Sequence, residues 1–393
     1  MPNPLAELTP VLEVLADNID VLPAAGKAVE DYLHPDPEEL EDTLINREMG
    51  EVTAFAETPT PSLTSLYRPT PPLPRIEQPF YRFFIDGSIR TYFLATGIEG
   101  NRSFPIELAQ VGAAVIERRP DGNLRLLASK HKVLLLLPKG AKGISDAVWH
   151  QLEHFDRSDG LVELHDVSKT HALNREDQEG DLRNKAGAKA RHRMHELEIE
   201  MIRATDGSRD AHNWLILDGA VKLDEFVESR YLVGVAKSFR KDPQFYLGRR
   251  SRGRGEDRRD VTAILAGLPH AHRTAAFSAY NGKVAFWYVR LREQRELDYP
   301  LMGVVKVELP RPGGTPVEAE LADLISRALV AERNVTPYGR DRRWHCHLYP
   351  IFMAEQAIKN RFFSEDVLLG AIRWPQARAQ AGPEGQENVG EGE

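Results

Sequence analysis

The chain has 393 residues, 41% of them hydrophobic and 28% charged, an ordinary composition for a globular protein. Its formal net charge of −8 gives no bulk attraction to nucleic acid, so a polyanion would need a local basic surface. The single cysteine, Cys346, excludes an internal disulfide and suits a reducing cytosol. The start, MPNPLAELTP, has no positively charged leader, and the longest aliphatic run, VLLLL, is too short to span a bilayer. These features predict a cytoplasmic protein without membrane contact.

The first part of the chain, residues 1–79, is predicted to form a helix and a Pro-rich connection. Apolar residues recur at three- and four-residue spacing over 5–22, which is typical of an amphipathic helix. This helix either contacts a partner or packs in the core. Seven prolines over 57–79 favour an extended connection. We therefore expect the main domain to span 80–375, with a disordered acidic tail over 376–393.

From Phe80 onward the chain alternates strands and helices. Apolar, β-branched and aromatic runs bounded by turn residues predict strands at 80–97, 106–119, 124–137, 213–221, 231–239, 282–293 and 300–310. Helices are predicted at 143–156, 181–205, 317–334 and 349–363. The polar, Arg-rich segment 240–260 is predicted to be a mobile loop. This order indicates an α/β fold with a mixed sheet flanked by helices.

Two apolar strands each carry an aspartate followed by glycine, at the end of a run of four or five hydrophobic residues. Asp86 lies in FFIDGS and Asp218 in LILDGA. Asp-Gly is a common turn pair, so each aspartate alone is explained by a turn. A carboxylate within a buried strand also needs a partner, and a metal ion is one such partner.

A third carboxylate, Glu198, lies on the apolar face of the helix 191–204. Glu196 and Glu200 point away from this face, at about 100° per residue. A buried glutamate implies an internal salt bridge, a metal site or a slightly different helix register. Asp86, Asp218 and Glu198 together would form a site for Mn²⁺ or Mg²⁺, which prefer oxygen ligands. Such metal ions activate water for phosphodiester hydrolysis.

Several basic residues are candidates for binding a phosphate backbone. Lys237, in the apolar strand VGVAKSF, is expected to contact a carboxylate or a phosphate, or to be a surface lysine. The arginines of the 240–260 segment either bind DNA or form a solvated loop; the candidates are Arg249, Arg250, Arg252 and Arg254. The aromatic run FWYVR, 286–290, is suited to core packing or to base stacking. The chain has no Gly-x-x-x-x-Gly-Lys-Ser/Thr loop, so we expect any ATP-driven movement to come from a partner.

The motifs IDGS, a helix with an internal glutamate, LILDGA, VGVAKSF and LYPIFMAEQAIKN, in that order, resemble the NurA nucleases. The resemblance covers roughly residues 80 to 370 and implies a sheet core like that of ribonuclease H. It also implies a manganese-dependent nuclease acting on DNA ends, as a homodimer docked on the hexameric ATPase HerA. Carried over by position, Asp86 and Asp218 would be metal ligands. Glu198, or Glu200 as second choice, would complete the set.

The C-terminal motif departs from the family pattern. NurA proteins have a Tyr-Pro-x-Pro-Leu-type stretch with a tyrosine and a later histidine in the active site. Aligned on Pro350, this chain has His347 at the tyrosine position and Glu355 at the histidine position. The resemblance thus leaves two expectations: a Mn²⁺- or Mg²⁺-dependent endo- or 5′–3′ exonuclease in DNA repair, or a degenerate adaptor that binds DNA or the ATPase without cleaving.

Overall fold

The computed structural model describes residues 5, 8–23, 51–52, 55–61, 66–74, 79–99, 102–141, 144–155, 160–168, 179–221, 229–239, 244–249, 256–295, 298–332, 344–372 and 374. Within these ranges the chain is a mixed α/β protein with a large sheet flanked by helices. The predicted tail at 376–393 lies outside the described residues. No described helix is long and apolar enough to cross a membrane.

The helices are α1 Leu8–Asn18, α2 Asp146–Glu153, α3 Glu179–Arg203, α4 Val261–Ala266, α5 Ala319–Ala331, α6 Tyr349–Lys359 and α7 Glu365–Ala371. The strands are β1 Asp20–Pro23, β2 Glu51–Val52, β3 Glu57–Thr58, β4 Tyr67–Pro69, β5 Tyr81–Glu99, β6 Arg102–Arg118, β7 Leu124–Leu137, β8 Val162–Asp166, β9 Trp214–Asp218, β10 Leu232–Ala236, β11 Gln244–Arg249, β12 Glu256–Asp260, β13 His272–Thr274, β14 Phe277–Ala279, β15 Val284–Arg290, β16 Val304–Pro310 and β17 Val317–Glu318.

The large sheet has the strand order β4-β13-β15-β16-β10-β9-β5-β6-β7-β8, with β1 added on β5 and β14 on β15. Strands β5, β6 and β7 form an antiparallel meander. Strand β9 pairs in parallel with β5, and β10 pairs in parallel with β9. These three strands run in the same direction. The C-terminal ends of β9 and β10 therefore lie at the same end of the sheet, beside an internal part of the longer β5.

The two faces of the sheet are covered by different helices, since successive residues of a strand point to opposite sides. Leu215 and Leu217 of β9 pack in one core with residues of α1 and α3. Trp214 and Ile216 pack in a second core with residues of α5 and α6. The central strands are therefore buried on both faces, which explains their nearly continuous apolar sequences.

Part of the segment before Phe80 packs with the sheet. The apolar face of α1 is buried in the core beside α2, so core packing accounts for this helix. Strand β4 pairs with β13 at the sheet edge. The fully buried Arg273 of β13 donates to Glu57 at 2.8 and 2.9 Å and to Asp323 at 2.6 Å. A charge buried this deeply requires such partners, so residues near Glu57 are part of the folded unit.

The segment 240–260 contains two strands where the sequence predicts a mobile loop. Strands β11 and β12 pair antiparallel, and β2 pairs with β11. The loop prediction was wrong because the arginines obscure the alternation of Phe245 and Leu247, which are both buried.

Candidate functional site

Asp86 and Asp218 lie side by side at the edge where β9 ends. The last residue pair between β5 and β9 joins Ile85 to Leu217, and the two aspartates come one residue later on each strand. Asp218 is the last residue of β9, and Gly219 turns the chain away with φ +111°. Glycine adopts this conformation without the strain that a side chain would cause. The sheet therefore places two carboxylates on adjacent parallel strands.

Glu198 of α3 lies on the α3 face of the sheet, against Gly87, whereas Asp86 and Asp218 alternate with residues of that face and point towards α6. Glu198 is 2% exposed, and a Cβ atom at Gly87 would lie only 2.7 Å from its Oε1 atom. The Nδ1 atom of His195 lies 2.7 Å from the Oε2 atom of Glu198. The alternative, Glu200, accepts instead from Lys130 at 2.6 Å. Glycine at position 87 thus leaves room for the Glu198 carboxylate against the backbone of β5.

Glu355 and Lys237 reach the site from other elements. Helix α6, which carries Glu355, lies against β5, β6 and β7, and Glu355 forms an ion pair with Lys359. Lys237 follows the last residue of β10, and its Nζ atom donates to Oδ2 of Asp218 at 2.6 Å. Of the expected partners for Lys237, the structure therefore shows a carboxylate.

We call Asp86, Glu198, Asp218 and Glu355 the acidic cluster. Burial raises the pKa of Asp86 well above its usual range, and the negative charges of Asp218, Glu355 and Glu198 raise it further. The positive charge of Lys237 lowers this pKa and only partly offsets the other effects. Removing a carboxylate from water disfavours its charged form, and nearby like charges do the same. A bound proton or a nearby cation would therefore stabilise Asp86.

The chemistry of the acidic cluster suits a hard divalent cation. Lys237 pairs with Asp218, Lys359 with Glu355 and His195 with Glu198, which leaves Asp86 as the carboxyl group of the cluster whose charge is most strongly disfavoured. Carboxylate oxygens are the ligands that Mn²⁺ and Mg²⁺ prefer. Among the described residues, however, no three His, Cys, Asp or Glu side chains are already arranged as a metal-ligand set. In the structure, Asp218 is held by Lys237 and Glu198 by His195, so metal ligation stays a prediction.

His347 comes before Leu348, which precedes the first residue of α6. Its role in the site stays a prediction. The neighbouring Cys346 is buried and its Sγ atom lies 3.4 Å from the carbonyl oxygen of Val304.

The proposed DNA-contacting arginines cannot be placed against the acidic cluster. Arg249 ends β11, but its side chain is not described, and Arg250, Arg252 and Arg254 lie outside the described residues. Their role stays a prediction.

The aromatic run on β15 is buried. Phe286 and Trp287 are 0% exposed and Tyr288 is 1% exposed. The indole nitrogen of Trp287 donates to Ser326 at 2.9 Å. The base-stacking interpretation is therefore wrong, and core packing explains these residues.

The sequence interpretation missed two basic partners of the acidic cluster. His195 precedes Glu198 by three residues, and Lys359 follows Glu355 by four. Residues at these spacings are neighbours on a helix surface. The spacing was thus a signal from which both pairs could have been predicted.

The amino-acid sequence of the chain was compared with protein-family models and with curated proteins. No protein-family model and no curated protein matches this chain. The likeness to NurA nucleases therefore rests on the motifs quoted above, and the chain is assigned to no family.

Proposed function

We propose that this protein is a metal-dependent DNA nuclease that hydrolyses phosphodiester bonds at DNA ends. The observation that carries the proposal is that three carboxylates on other elements, Asp218, Glu355 and Glu198, act by their charge on the buried Asp86 and raise its pKa. Buried carboxylates repel one another. Placing them close together costs free energy unless a bound cation or a shared proton offsets the repulsion. Perturbed carboxylates of this kind are enriched at functional sites.

The sheet supports the expected ribonuclease H-like core. The strand order β7-β6-β5-β9-β10 joins an antiparallel meander to two parallel strands. The first strand of the meander, β5, carries Asp86, and its parallel neighbour carries Asp218. In open sheets of this kind, ligands bind beyond the carboxyl ends of the parallel strands.

The residues of the cluster have distinct roles in the proposed reaction. Asp86, Asp218, Glu198 and Glu355 would hold Mn²⁺ or Mg²⁺, which would supply Lewis-acid stabilisation and a more acidic water molecule. The side chain of Lys237 would exchange its ion pair with Asp218 for a hydrogen bond to a phosphate oxygen. His195 would fix the orientation of Glu198 through their hydrogen bond.

The proposed partners are those that the NurA resemblance implies. They are DNA ends, a HerA-type hexameric ATPase and a second copy of the chain. A cytoplasmic location and a role in DNA repair belong to the same proposal. The protein has no phosphate-binding loop of the Gly-x-x-x-x-Gly-Lys-Ser/Thr type, which is why movement along DNA is assigned to the ATPase.

A second candidate function is a non-catalytic adaptor that binds DNA or the ATPase. The ion pairs of Lys237 with Asp218 and of Lys359 with Glu355 favour it, because both carboxylates already have partners. In an adaptor these pairs would be permanent, and the protein would not bind Mn²⁺.

Cleavage of end-labelled single- and double-stranded DNA with Mn²⁺, Mg²⁺ or chelator tests the proposal. Wild type should cut DNA with Mn²⁺, alone or with its ATPase partner, and Asp218→Asn should not. Glu196→Gln is a matched control, because Glu196 lies on the exposed side of α3 and pairs with Arg193. Intact DNA under all these conditions would favour the adaptor.

A further inference from the structure

We propose that the protein has a second binding site, a pocket lined by arginines that takes a phosphate group. The pocket lies where β5 and β9 begin and β6 ends, and its volume is about 70 Å³. Arg82, Arg118, Arg119 and Asn213 supply its polar lining, with no aspartate or glutamate among the described lining residues. Such a small pocket, with three arginines and an asparagine in its lining, suits a small oxyanion and not a whole nucleotide.

Two of the arginines are each hydrogen-bonded to an acidic residue that does not line the pocket. Arg118 donates to both carboxylate oxygens of Glu332 at 2.8 Å and to the Tyr81 carbonyl at 3.0 Å. Arg82 donates to Glu117 at 2.7 and 3.1 Å. Ordered guanidinium groups lose little further freedom when they bind an oxyanion, which favours binding.

Arg119 provides the unused donors of the pocket. Its guanidinium forms no hydrogen bond or ion pair with any described residue, and its positive charge lowers the pKa of Asp121. Arg119 is exposed, and hydrogen bonds order the backbone of its turn: the N–H of Arg119 donates to the carbonyl oxygen of Asn123, and the N–H of Gly122 donates to the carbonyl oxygen of Arg119. A guanidinium presents several N–H donors in a fork that matches phosphate oxygens. Arg119 is thus the residue on which phosphate binding should depend most.

The pocket is separate from the acidic cluster. Tyr81 lies five residues before Asp86 on β5, which corresponds to about 17 Å along a strand. The pocket therefore does not depend on the proposed nuclease activity. Its ligand is either free phosphate or a backbone phosphate of nucleic acid, since both present the same oxygens.

Binding of inorganic phosphate, measured by calorimetry and by the rise in Tm, tests this proposal without a metal. Wild type should bind phosphate saturably, and Arg119→Ala should weaken binding by about tenfold or more. Arg119→Lys should fall between them, because lysine keeps the charge and loses the fork. Arg102→Ala is the matched control, since Arg102 is an exposed arginine at the other end of β6 and should leave binding unchanged. Equal binding by wild type and Arg119→Ala, or no saturable binding by wild type, would overturn the proposal.

The source of the phosphate is identified by competition with a single-stranded oligonucleotide in chelator. Displacement of phosphate from wild type assigns the pocket to nucleic acid, and retention assigns it to a free phosphate compound. This experiment measures no DNA cleavage. A negative result here would therefore overturn the phosphate site without affecting the proposed nuclease activity, and the reverse holds for the cleavage assay.

Discussion

Asp86 and Asp218 are lateral neighbours on parallel strands, one residue beyond the paired Ile85 and Leu217. Two carboxylates so placed in a buried site repel each other, and the pKa of Asp86 is raised for this reason in addition to its burial. The folded protein therefore binds the Asp86 proton more tightly than the unfolded chain does. This difference makes stability depend on pH and on cations.

Asp86→Asn should stabilise the metal-free protein at neutral pH, by on the order of 1 kcal/mol. Because the folded pKa is raised, wild-type stability falls as pH rises from the ordinary Asp value, about 3.9, towards the folded value. The neutral amide avoids this loss. Lys237 keeps its partner in the variant, since it pairs with Asp218.

Urea unfolding at several pH values checks this result. The advantage of Asp86→Asn should shrink as pH approaches 4, where wild type also holds the proton. The exposed Asp17→Asn should change stability by less than about 0.5 kcal/mol at any pH. A destabilised Asp86→Asn at neutral pH would contradict the raised pKa.

Mn²⁺ should raise the Tm of wild type, and Glu198→Gln should abolish most of this rise. The substitution removes one anionic ligand while it keeps the size of the side chain, so the protein should stay folded. Glu196→Gln, on the exposed side of the same helix, should respond to Mn²⁺ as wild type does. Thermal unfolding with increasing Mn²⁺ measures the difference, and equal responses of the two variants would exclude Glu198 as a ligand.

Gly87→Ala should disturb the acidic cluster directly. The added Cβ atom would meet Glu198 Oε1 at 2.7 Å and the Met194 side chain at 2.9 Å, which is closer than atoms approach without rearrangement. We expect a loss of about 1–3 kcal/mol of stability and the loss of nuclease activity.

The matched control for this glycine is Gly187→Ala. Gly187 lies within α3, and a Cβ atom there would meet nothing within 4 Å. This variant should be more stable by about 0.5–1 kcal/mol, because alanine favours helix. Activity that survives Gly87→Ala unchanged would show that Glu198 need not lie against β5.

Glu57→Gln should destabilise the protein by about 3–5 kcal/mol, since it leaves the buried Arg273 without part of its charge compensation. Glu293→Gln, at an exposed position, should change stability by less than about 0.5 kcal/mol. Chemical denaturation compares the two variants. Similar stabilities would mean that the segment around Glu57 contributes little to the fold.

The sequence predicted the α/β class and the secondary structure around Asp86, Asp218 and Glu198. Those predictions rest on apolar runs, a helical face and Asp-Gly pairs, all of which are local patterns. Helix α6 was predicted in the same way, whereas Glu355 was chosen only through the family motif.

What local patterns could not predict was pairing between distant segments. Strand β11 gains its place by pairing with β2, and β4 by pairing with β13, in each case across long stretches of sequence. Arginine-rich and Pro-rich compositions concealed both strands. The partners of Glu57 and of Asp86 are likewise fixed by tertiary structure, so their charge environments could not be read from the sequence.

The ion pair between Glu57 and Arg273 also has a consequence for protein synthesis, because 216 residues separate them. At 5 to 20 residues per second, a ribosome needs roughly 10 to 40 s to make that stretch. During that interval the nascent N-terminal segment carries a carboxylate whose partner does not yet exist. The ion pair between Glu57 and Arg273 must therefore form late, after most of the chain has been synthesised.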